Sequence, residues 1–289
     1  MINLSDKQKG MSFAFLGILL LTPDSLLIRL LSLDSWELIF YRGFVPSIFL
    51  TILLSFYYKK NFFHSILVLG FAGIFNAFLI FLGNVTFVLS IQNTNVANTL
   101  IMVSLTPFIA ALLSSFFLKE HPNLRTWITI LICFSFVFFI FYDSYESNRI
   151  FGDLLGIASA TAVGASSVII RYGKSNNFIP SLLIAKIFIV IFAIFLVEDI
   201  YLDKTDFYLV LLMGFFTVFL PFLLITIAPR YIPAHEVQLF FLLETVLGPI
   251  WVWLVINEQP SIKTLIGGIG IILTILIYSI VELKSKKNQ

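Results

Sequence analysis

The sequence predicts an all-α integral membrane protein with ten transmembrane helices, arranged as two inverted five-helix repeats. First, 59% of the 289 residues are hydrophobic and 12% are charged, whereas soluble proteins are about half apolar and a quarter charged. Second, the apolar residues form ten runs close to the roughly 20 residues that a membrane-spanning helix needs. Third, a stretch of the first half recurs in the second half. A lipid bilayer is therefore the expected surrounding of the chain.

The ten predicted helices follow one another through short polar connections, none of which has room for a soluble domain. The first apolar run follows a short charged head, and no small-residue cleavage pattern comes after it, so we expect a membrane helix and not a signal peptide. A polar break at residues 143–149 separates the fifth helix from the sixth. The helices are predicted at about 11–31, 36–57, 65–89, 94–117, 124–142, 152–172, 179–197, 206–228, 233–256 and 262–282.

An internal duplication relates the two halves. Residues 92–126, QNTNVANTLIMVSLTPFIAALLSSFFLKEHPNLRT, share their plan with residues 230–264, RYIPAHEVQLFFLLETVLGPIWVWLVINEQPSIKT. In both, a polar entry leads into a long apolar helix that ends in glutamate, spacer, proline, spacer, basic residue and threonine. The repeat predicts two units, residues 1–142 with helices 1–5 and residues 143–289 with helices 6–10. Because five is odd, the second unit enters the membrane inverted, as in transporters whose site lies between the halves.

The distribution of basic residues predicts the orientation, because cytoplasmic loops are rich in lysine and arginine. With the amino terminus inside, the outer side collects only Arg29, Arg149, Lys204 and Lys263. The cytoplasmic side then collects Lys7, Lys9, Lys59, Lys60, Lys119, Arg125, Arg171, Lys174, Arg230, Lys284, Lys286 and Lys287. We therefore expect a multi-pass protein of the cell (inner) membrane with both termini in the cytoplasm.

Two segments carry a family resemblance. Residues 105–127, LTPFIAALLSSFFLKEHPNLRTW, resemble the first-repeat signature of the EamA-type branch of the drug/metabolite transporter superfamily. Residues 242–261, LLETVLGPIWVWLVINEQPS, are similar to its second-repeat signature. The family usually has a proline directly after the glutamate, whereas here Glu244 is followed by Thr245 and the proline comes later, at Pro249. The resemblance covers essentially the whole chain and implies this fold and transport of a small molecule. It leaves the substrate open, since relatives move amino acids, nucleotide sugars, S-adenosylmethionine, polyamines and drugs.

Polar residues inside the fourth and ninth predicted helices are the first candidate substrate contacts, because polar groups within a membrane are unfavourable and usually functional. Asn98, Met102 and Thr106 are spaced by four and share one helical face. The repeat maps Met102 onto Phe240 and Thr106 onto Glu244. At about 1.5 Å per residue, Thr106 and Glu244 both lie some 17 Å into the membrane. Glu244 either lines the transport path or forms a structural hydrogen bond between helices.

Asp24 and Arg42 form a second candidate group. With the same helical rise per residue, both lie about 10 Å below the outer surface, within reach of each other. One interpretation is a buried ion pair, because a lone charge is unfavourable in hydrocarbon. The other is that Arg42 binds a substrate carboxylate or phosphate, with Asp24 holding it or receiving an amine. Lys186, about 10 Å from the inner surface, is expected to extend its ammonium towards that surface.

Asn76 lies with glycines on one side of the third predicted helix, where it can hydrogen-bond to a neighbouring helix, and Gln238 belongs to the polar entry of the ninth. Neither position alone separates a structural role from a functional one. The predicted substrate-binding residues are Asp24, Arg42, Asn76, Asn98, Met102, Thr106, Lys186, Gln238, Phe240 and Glu244.

The sequence predicts no enzyme. It has no HExxH zinc pair, no glycine-rich phosphate loop and no serine-nucleophile elbow, so we expect neither catalytic residues nor a cofactor or metal. The net charge of +2 gives no reason to expect nucleic acid as a partner. An assembly protein without transport activity is the alternative of another class, although a scaffold need not bear intramembrane charges.

The predicted function is secondary transport of a small polar metabolite by alternating access. Amino acids or related zwitterions are the first substrate hypothesis, because the candidate residues carry both signs of charge, and the resemblance implies export. The alternative substrate is a phosphorylated or nucleotide-type metabolite, such as a nucleotide sugar or S-adenosylmethionine. Protons are the candidate coupling ion, carried by Glu244 or Asp24, and facilitated diffusion, which needs no such carrier, is the alternative. The oligomeric state is left open.

Overall fold

All regular structure in the described part of the chain is helical. The computed structural model describes residues 5–94, 96–141, 150–198, 200–257 and 262–285, without the side chains of 96–98, 101, 140–141, 264, 279 and 282–285. The helices are α1 (Asp6–Leu21), α2 (Asp24–Leu30), α3 (Ser35–Tyr58), α4 (Phe62–Leu67), α5 (Gly70–Asn93), α6 (Val96–Val103), α7 (Thr106–Leu113), α8 (Leu124–Phe141), α9 (Ile150–Tyr172), α10 (Ile179–Ala193), α11 (Lys204–Leu212), α12 (Leu220–Ile227), α13 (Ala234–Leu239), α14 (Leu242–Ile256) and α15 (Ile262–Ser285).

The apolar helices divide into two sets by length. Within the described ranges, six are long and apolar enough to cross a membrane: Asp6–Leu30, Ser35–Leu67, Gly70–Asn93, Ile150–Tyr172, Lys204–Arg230 and Ala234–Ile256. Four more are apolar but shorter: Thr106–Leu118, Leu124–Phe139, Ile179–Ala193 and Leu265–Tyr278. Large apolar side chains such as Phe71, Phe116 and Phe195 are exposed on the outside of the bundle, as expected of a surface that contacts lipid. The multi-pass helical class is confirmed, and the count of ten spans stays a prediction.

The first predicted helix is interrupted at Thr22 and Pro23, although the sequence predicts one continuous helix. A proline has no N–H to bond the carbonyl four residues earlier, and for Pro23 that carbonyl belongs to Leu19. The hydroxyl of Thr22 donates to it instead, at 2.9 Å. The chain restarts as a helix at Asp24, so this interruption places a carboxylate at the start of α2.

The fourth predicted helix is interrupted in the same way. α6 ends at Val103 and α7 begins at Thr106, directly before Pro107. The carbonyl of Val103 loses its donor to Pro107 and accepts a hydrogen bond from Thr106 Oγ1 at 2.5 Å. A threonine–proline pair therefore breaks both the first and the fourth predicted helix.

Two further predicted helices differ from expectation. The ninth is divided between α13 and α14. At the division, the backbone N–H groups of Phe240 and Phe241 donate to the carbonyls three residues earlier, those of Val237 (3.2 Å) and Gln238 (3.1 Å). The third begins at Gly70 and not near residue 65, because Gly70 adopts φ 57°, a conformation that residues with side chains rarely take.

The helices pack in pairs that follow the sequence repeat. α5 packs against α9, and α1 against α12, which joins the third predicted helix to the sixth and the first to the eighth. α3 packs against α10, α7 against α13 and α8 against α15, which joins the second, fourth and fifth to the seventh, ninth and tenth. In the repeat, predicted helices 1–5 correspond to helices 6–10. If each helix is replaced by its counterpart, the pair of the third and sixth becomes the pair of the eighth and first, and the other three pairs stay the same. A pseudo-two-fold relation between the halves requires this pattern.

Polar contacts hold each end of the bundle. At the end we call the basic end, the contacts are Arg171 Nη2 to Glu120 (2.8 Å), Arg171 Nη1 to the Pro229 carbonyl (3.3 Å), Arg230 Nε to the Lys174 carbonyl (3.3 Å) and Asn177 Nδ2 to Tyr58 (2.9 Å). At the opposite, acidic end they are Thr94 Oγ1 to Asp153 (3.0 Å), Ser90 Oγ to the Gly152 carbonyl (2.7 Å), Tyr41 to the Ile200 carbonyl (2.8 Å) and Ser32 to Asp206.

The contact between α5 and α9 makes a testable prediction about glycine. A Cβ built on Gly152 lies 2.7 Å from the carbonyl carbon of Asn93 and 2.8 Å from the nitrogen of Thr94, and backbone atoms cannot yield as a side chain does. We expect Gly152→Ala to lower the free energy of unfolding by about 1–3 kcal/mol. A Cβ on Gly164 of the same helix meets its neighbours at 3.4 Å. Denaturant unfolding should therefore show Gly164→Ala as neutral or slightly stabilising, and equal losses in both variants would contradict this packing.

Candidate functional site

A cavity inside the bundle is lined by residues from both halves of the chain. About 740 Å³ there is not filled by atoms, part of it open to the surroundings, and the centres of water-sized spheres can occupy about 70 Å³. Its walls are largely apolar, with aromatic side chains from Phe87, Phe222 and Phe241. The polar lining residues are Asp24, Arg42, Asn84, Ser159, Ser166, Ser167, Thr226, Gln238 and Glu244. An apolar wall with a few polar groups is typical of a site for a small molecule.

Asp24 and Arg42 are in direct contact in the cavity wall. Arg42 Nη1 donates to both carboxylate oxygens of Asp24, at 2.7 and 2.8 Å. Asp24 is fully buried and Arg42 is 2% exposed. Asp24 is also the first residue of α2, where a carboxylate is favoured by the helix dipole. The structure therefore brings together the two charges that the sequence placed at equal depth.

Further polar groups complete this ion pair. Thr217 Oγ1 donates to Asp24 at 2.7 Å, and Arg42 Nε donates to Asn84 Oδ1 at 3.4 Å. The Arg42 guanidinium also lies 6.0 Å from the ring centroid of Phe87, within cation–π range. A buried ion pair is stable only when such additional bonds compensate for lost hydration. Sequence reasoning missed Thr217, whose only signal is a hydroxyl inside an apolar run.

Glu244 and Gln238 line the cavity from the two sides of the break in the ninth predicted helix. Glu244 is 3% exposed and lines the cavity, and its carboxyl group forms no hydrogen bond or ion pair with a described residue. Gln238 is fully buried, and neither its amide oxygen nor its amide nitrogen has a partner in the described part of the chain. Buried polar atoms are nearly always bonded to something. These two side chains are thus the polar groups most available to a ligand.

The expectation that Lys186 reaches towards the inner surface is wrong. Lys186 is 1% exposed, and its Nζ lies 4.9 Å from the ring centroid of Phe222. Within the described chain Nζ has no hydrogen-bond partner, and Lys186 is not among the cavity-lining residues. The ammonium group of Lys186 therefore contacts an aromatic face, which attracts a cation, and does not extend to water at the end of the bundle.

Three further predicted contacts, Met102, Thr106 and Phe240, are not among the residues that line the cavity. Phe240 packs edge-on against Phe15 with centroids 6.5 Å apart, while its neighbour Phe241 faces the cavity. Met102 lies next to Gly156, and the hydroxyl of Thr106 is used by the Val103 carbonyl. The side chain of Asn98 is outside the described part. Roles for these four residues in substrate binding stay predictions.

Asn76 joins three helices behind the cavity. Its Nδ2 donates to Ser181 Oγ at 2.8 Å, and its Oδ1 accepts from Ser166 at 2.7 Å. Asn76 is fully buried. We expect Asn76→Ala to lower the free energy of unfolding by about 1–3 kcal/mol, because the substitution leaves two buried hydroxyls without this partner. Asn93→Ala, which removes an exposed amide bonded only to the Leu89 carbonyl, is the control, and equal effects in denaturant unfolding would contradict a structural role for Asn76.

The described residues contain no group of three or more histidine, cysteine, aspartate or glutamate side chains that could hold a metal ion.

Apolar helices surround a cavity whose wall is mostly apolar and includes a few charged side chains. This arrangement is compatible with a membrane transporter of small molecules. The sequence model of the EamA-like transporter family matches residues 8–142 and 150–280. The chain therefore belongs to the EamA-like transporter family, whose members are transporters and not enzymes.

A structural comparison agrees on the fold. A solved crystal structure is similar to this chain with a TM-score of 0.76 at 14% sequence identity, covering 94% of this chain and 97% of that one. At this identity the likeness concerns the fold alone. No curated protein matches the chain.

Proposed function

We propose that the chain is a secondary transporter that exports amino acids or related zwitterions by alternating access. The observation that carries this proposal is the cavity, whose wall holds Arg42 and Asp24 as well as Glu244. Arg42 Nη1 and Nε are engaged, but Nη2 donates to no described residue. Its two N–H groups are thus available to a carboxylate. Glu244 offers the complementary group for an ammonium.

We also propose that the four shorter apolar helices cross the membrane, giving ten spans in two inverted units, residues 1–142 and 143–289. Each shorter helix packs against a helix of the other half, and the pairs obey the pseudo-two-fold exchange. The basic end, with Lys59, Lys174 and Arg230, is then cytoplasmic by the distribution of positive charge. Both termini would lie on that side, as expected in a cell (inner) membrane.

A phosphorylated or nucleotide-type substrate is less compatible with the cavity. A phosphate monoester carries up to about two negative charges, whereas Arg42 is the cationic side chain of the described lining and is already neutralised by Asp24. A ligand of that kind would meet Glu244 with no surplus positive charge. Zwitterions, with one charge of each sign, fit the lining better.

Proton coupling is proposed to use Glu244 or Asp24. Glu244 has no described bonding partner, so a proton can bind there without breaking an ion pair, whereas protonation of Asp24 competes with Arg42. Uphill transport driven by a proton gradient is the readout. If Glu244→Gln and Asp24→Asn both retain it, neither carboxylate carries the proton.

The proposed activity is testable with purified protein in liposomes. Vesicles loaded with an unlabelled amino acid should accumulate the same labelled amino acid by exchange, saturably and only when the protein is present. Vesicles without protein, and vesicles with heat-denatured protein, are the controls. Failure of every amino acid in a broad panel to exchange would contradict the proposal.

A further inference from the structure

The charged groups of the cavity are not equally available to a ligand. Arg42 and Asp24 neutralise each other at 2.7 Å, whereas Glu244 faces the cavity with no described partner. We propose that the cavity recognises its substrate by the ammonium group, held between Glu244 and Gln238, and that primary amines with an apolar body are ligands even without a carboxylate. This inference rests on the proposed function and specifies the substrate class of that same site.

The first support is the hydrogen-bonding capacity of the two side chains. An ammonium carries three donors and no acceptor. A carboxylate accepts only, and the amide of Gln238 offers one accepting oxygen. Both line the cavity, and both are more than nine-tenths buried. Burial disfavours the ionised form of a carboxyl without a counterion, and a bound ammonium would favour that form again.

The second support is the charge of the remaining lining. An anionic ligand without an amine would be repelled by Glu244, and Arg42 could attract it only against the field of Asp24. Lys186 does not offset this balance at the cavity surface, because its ammonium lies on the ring of Phe222 and the residue does not belong to the lining. The ionisable group of the described lining that has no counterion is thus an acid.

The third support concerns the rest of the ligand. Phe87, Phe222 and Phe241 form aromatic parts of the wall. These faces favour an aliphatic or aromatic body, and they also attract cations. A polyamine would bring further ammonium groups into a cavity that has one uncompensated carboxylate. A monoamine with a compact apolar body is therefore the preferred class.

Three matched probes test this inference: leucine, 3-methylbutylamine, which lacks the carboxylate, and 4-methylpentanoate, which lacks the ammonium. Phenylalanine and methionine are each compared in the same way with the corresponding amine and the corresponding acid. Binding to the purified protein is measured by calorimetry. We expect each amine to bind within about tenfold of its amino acid, and each acid to bind at least about thirtyfold more weakly, as charge-assisted hydrogen bonds predict. Amines that fail where amino acids and acids bind would overturn the inference and leave the proposed transport of zwitterions standing.

Variants locate the ammonium site. Glu244→Gln keeps the shape of the side chain and should weaken amine binding by about thirtyfold, and Glu244→Asp should retain part of the affinity. Glu120→Gln, at the basic end, is the control and should bind like the wild type. Unchanged amine binding by a folded Glu244→Gln variant would overturn the inference. If no probe binds and no amino acid exchanges in liposomes, the proposed function itself fails, and this inference fails with it.

Discussion

Asp24→Ala is expected to lower the free energy of unfolding by about 3–5 kcal/mol, the largest stability loss that the structure predicts for a single substitution. Removing the carboxylate leaves the guanidinium of Arg42, which is 2% exposed, as a charge without its counterion. Asn84 then remains as an uncharged partner, at 3.4 Å. Denaturant unfolding of the protein in detergent micelles measures the change.

A double variant separates this effect from the loss of packing. In Asp24→Leu/Arg42→Met both charges are absent, so the unfolding free energy should recover most of the loss. Glu120→Ala is the control, because its ion pair with Arg171 is partly exposed and such pairs contribute about 0–1 kcal/mol. A double variant as unstable as the single one would show that charge is not the reason for the loss.

Ser167→Phe is expected to reduce exchange in liposomes by at least about tenfold. Ser167 lines the cavity from α9, is 3% exposed, and its hydroxyl has no partner in the described chain. The substitution therefore breaks no bond of the described fold, but it places a ring where the substrate would lie. The larger side chain takes up space that a ligand needs, as overpacking does in a protein core.

Thr161→Phe is the matched control on the same helix. Thr161 is exposed on the outside of α9, and its hydroxyl bonds only to the Ile157 carbonyl. This variant should exchange at the wild-type rate. If Ser167→Phe folds, as judged by its thermal midpoint, and also exchanges at the wild-type rate, the cavity is not the transport path.

The contact between Asp24 and Arg42 was accessible from the sequence. A constant rise per residue places both at one depth, and an unpaired charge in hydrocarbon demands a partner. The same reasoning could not identify Thr217 or Asn84, because depth alone does not say which faces of distant helices meet. The two charged residues of this cluster were thus predicted from the sequence, whereas the neutral residues that bond to them were not.

The helix breaks explain most of what the sequence analysis missed. A continuous helix places Phe240 on the face of Glu244, but the break at 240–241 brings Phe241 to the cavity in its place. The sequence did hold a signal for two other breaks, since Thr22–Pro23 and Thr106–Pro107 recur in the same leucine–threonine–proline context. Lys186 was misplaced because its aromatic neighbour Phe222 comes from a helix far away in the chain.

Thiol labelling at position 167 shows whether this cavity opens alternately to the two sides of the membrane. Cys133, the single cysteine, is fully buried in α8, so Cys133→Ala/Ser167→Cys carries one thiol in the cavity wall. A membrane-impermeant reagent is applied to vesicles of known orientation from either side, with and without substrate. We expect labelling from both sides, and we expect an amino acid that is exchanged to slow the labelling. A folded, transport-competent variant whose thiol is labelled from one side only, at a rate unaffected by substrate, would contradict this expectation.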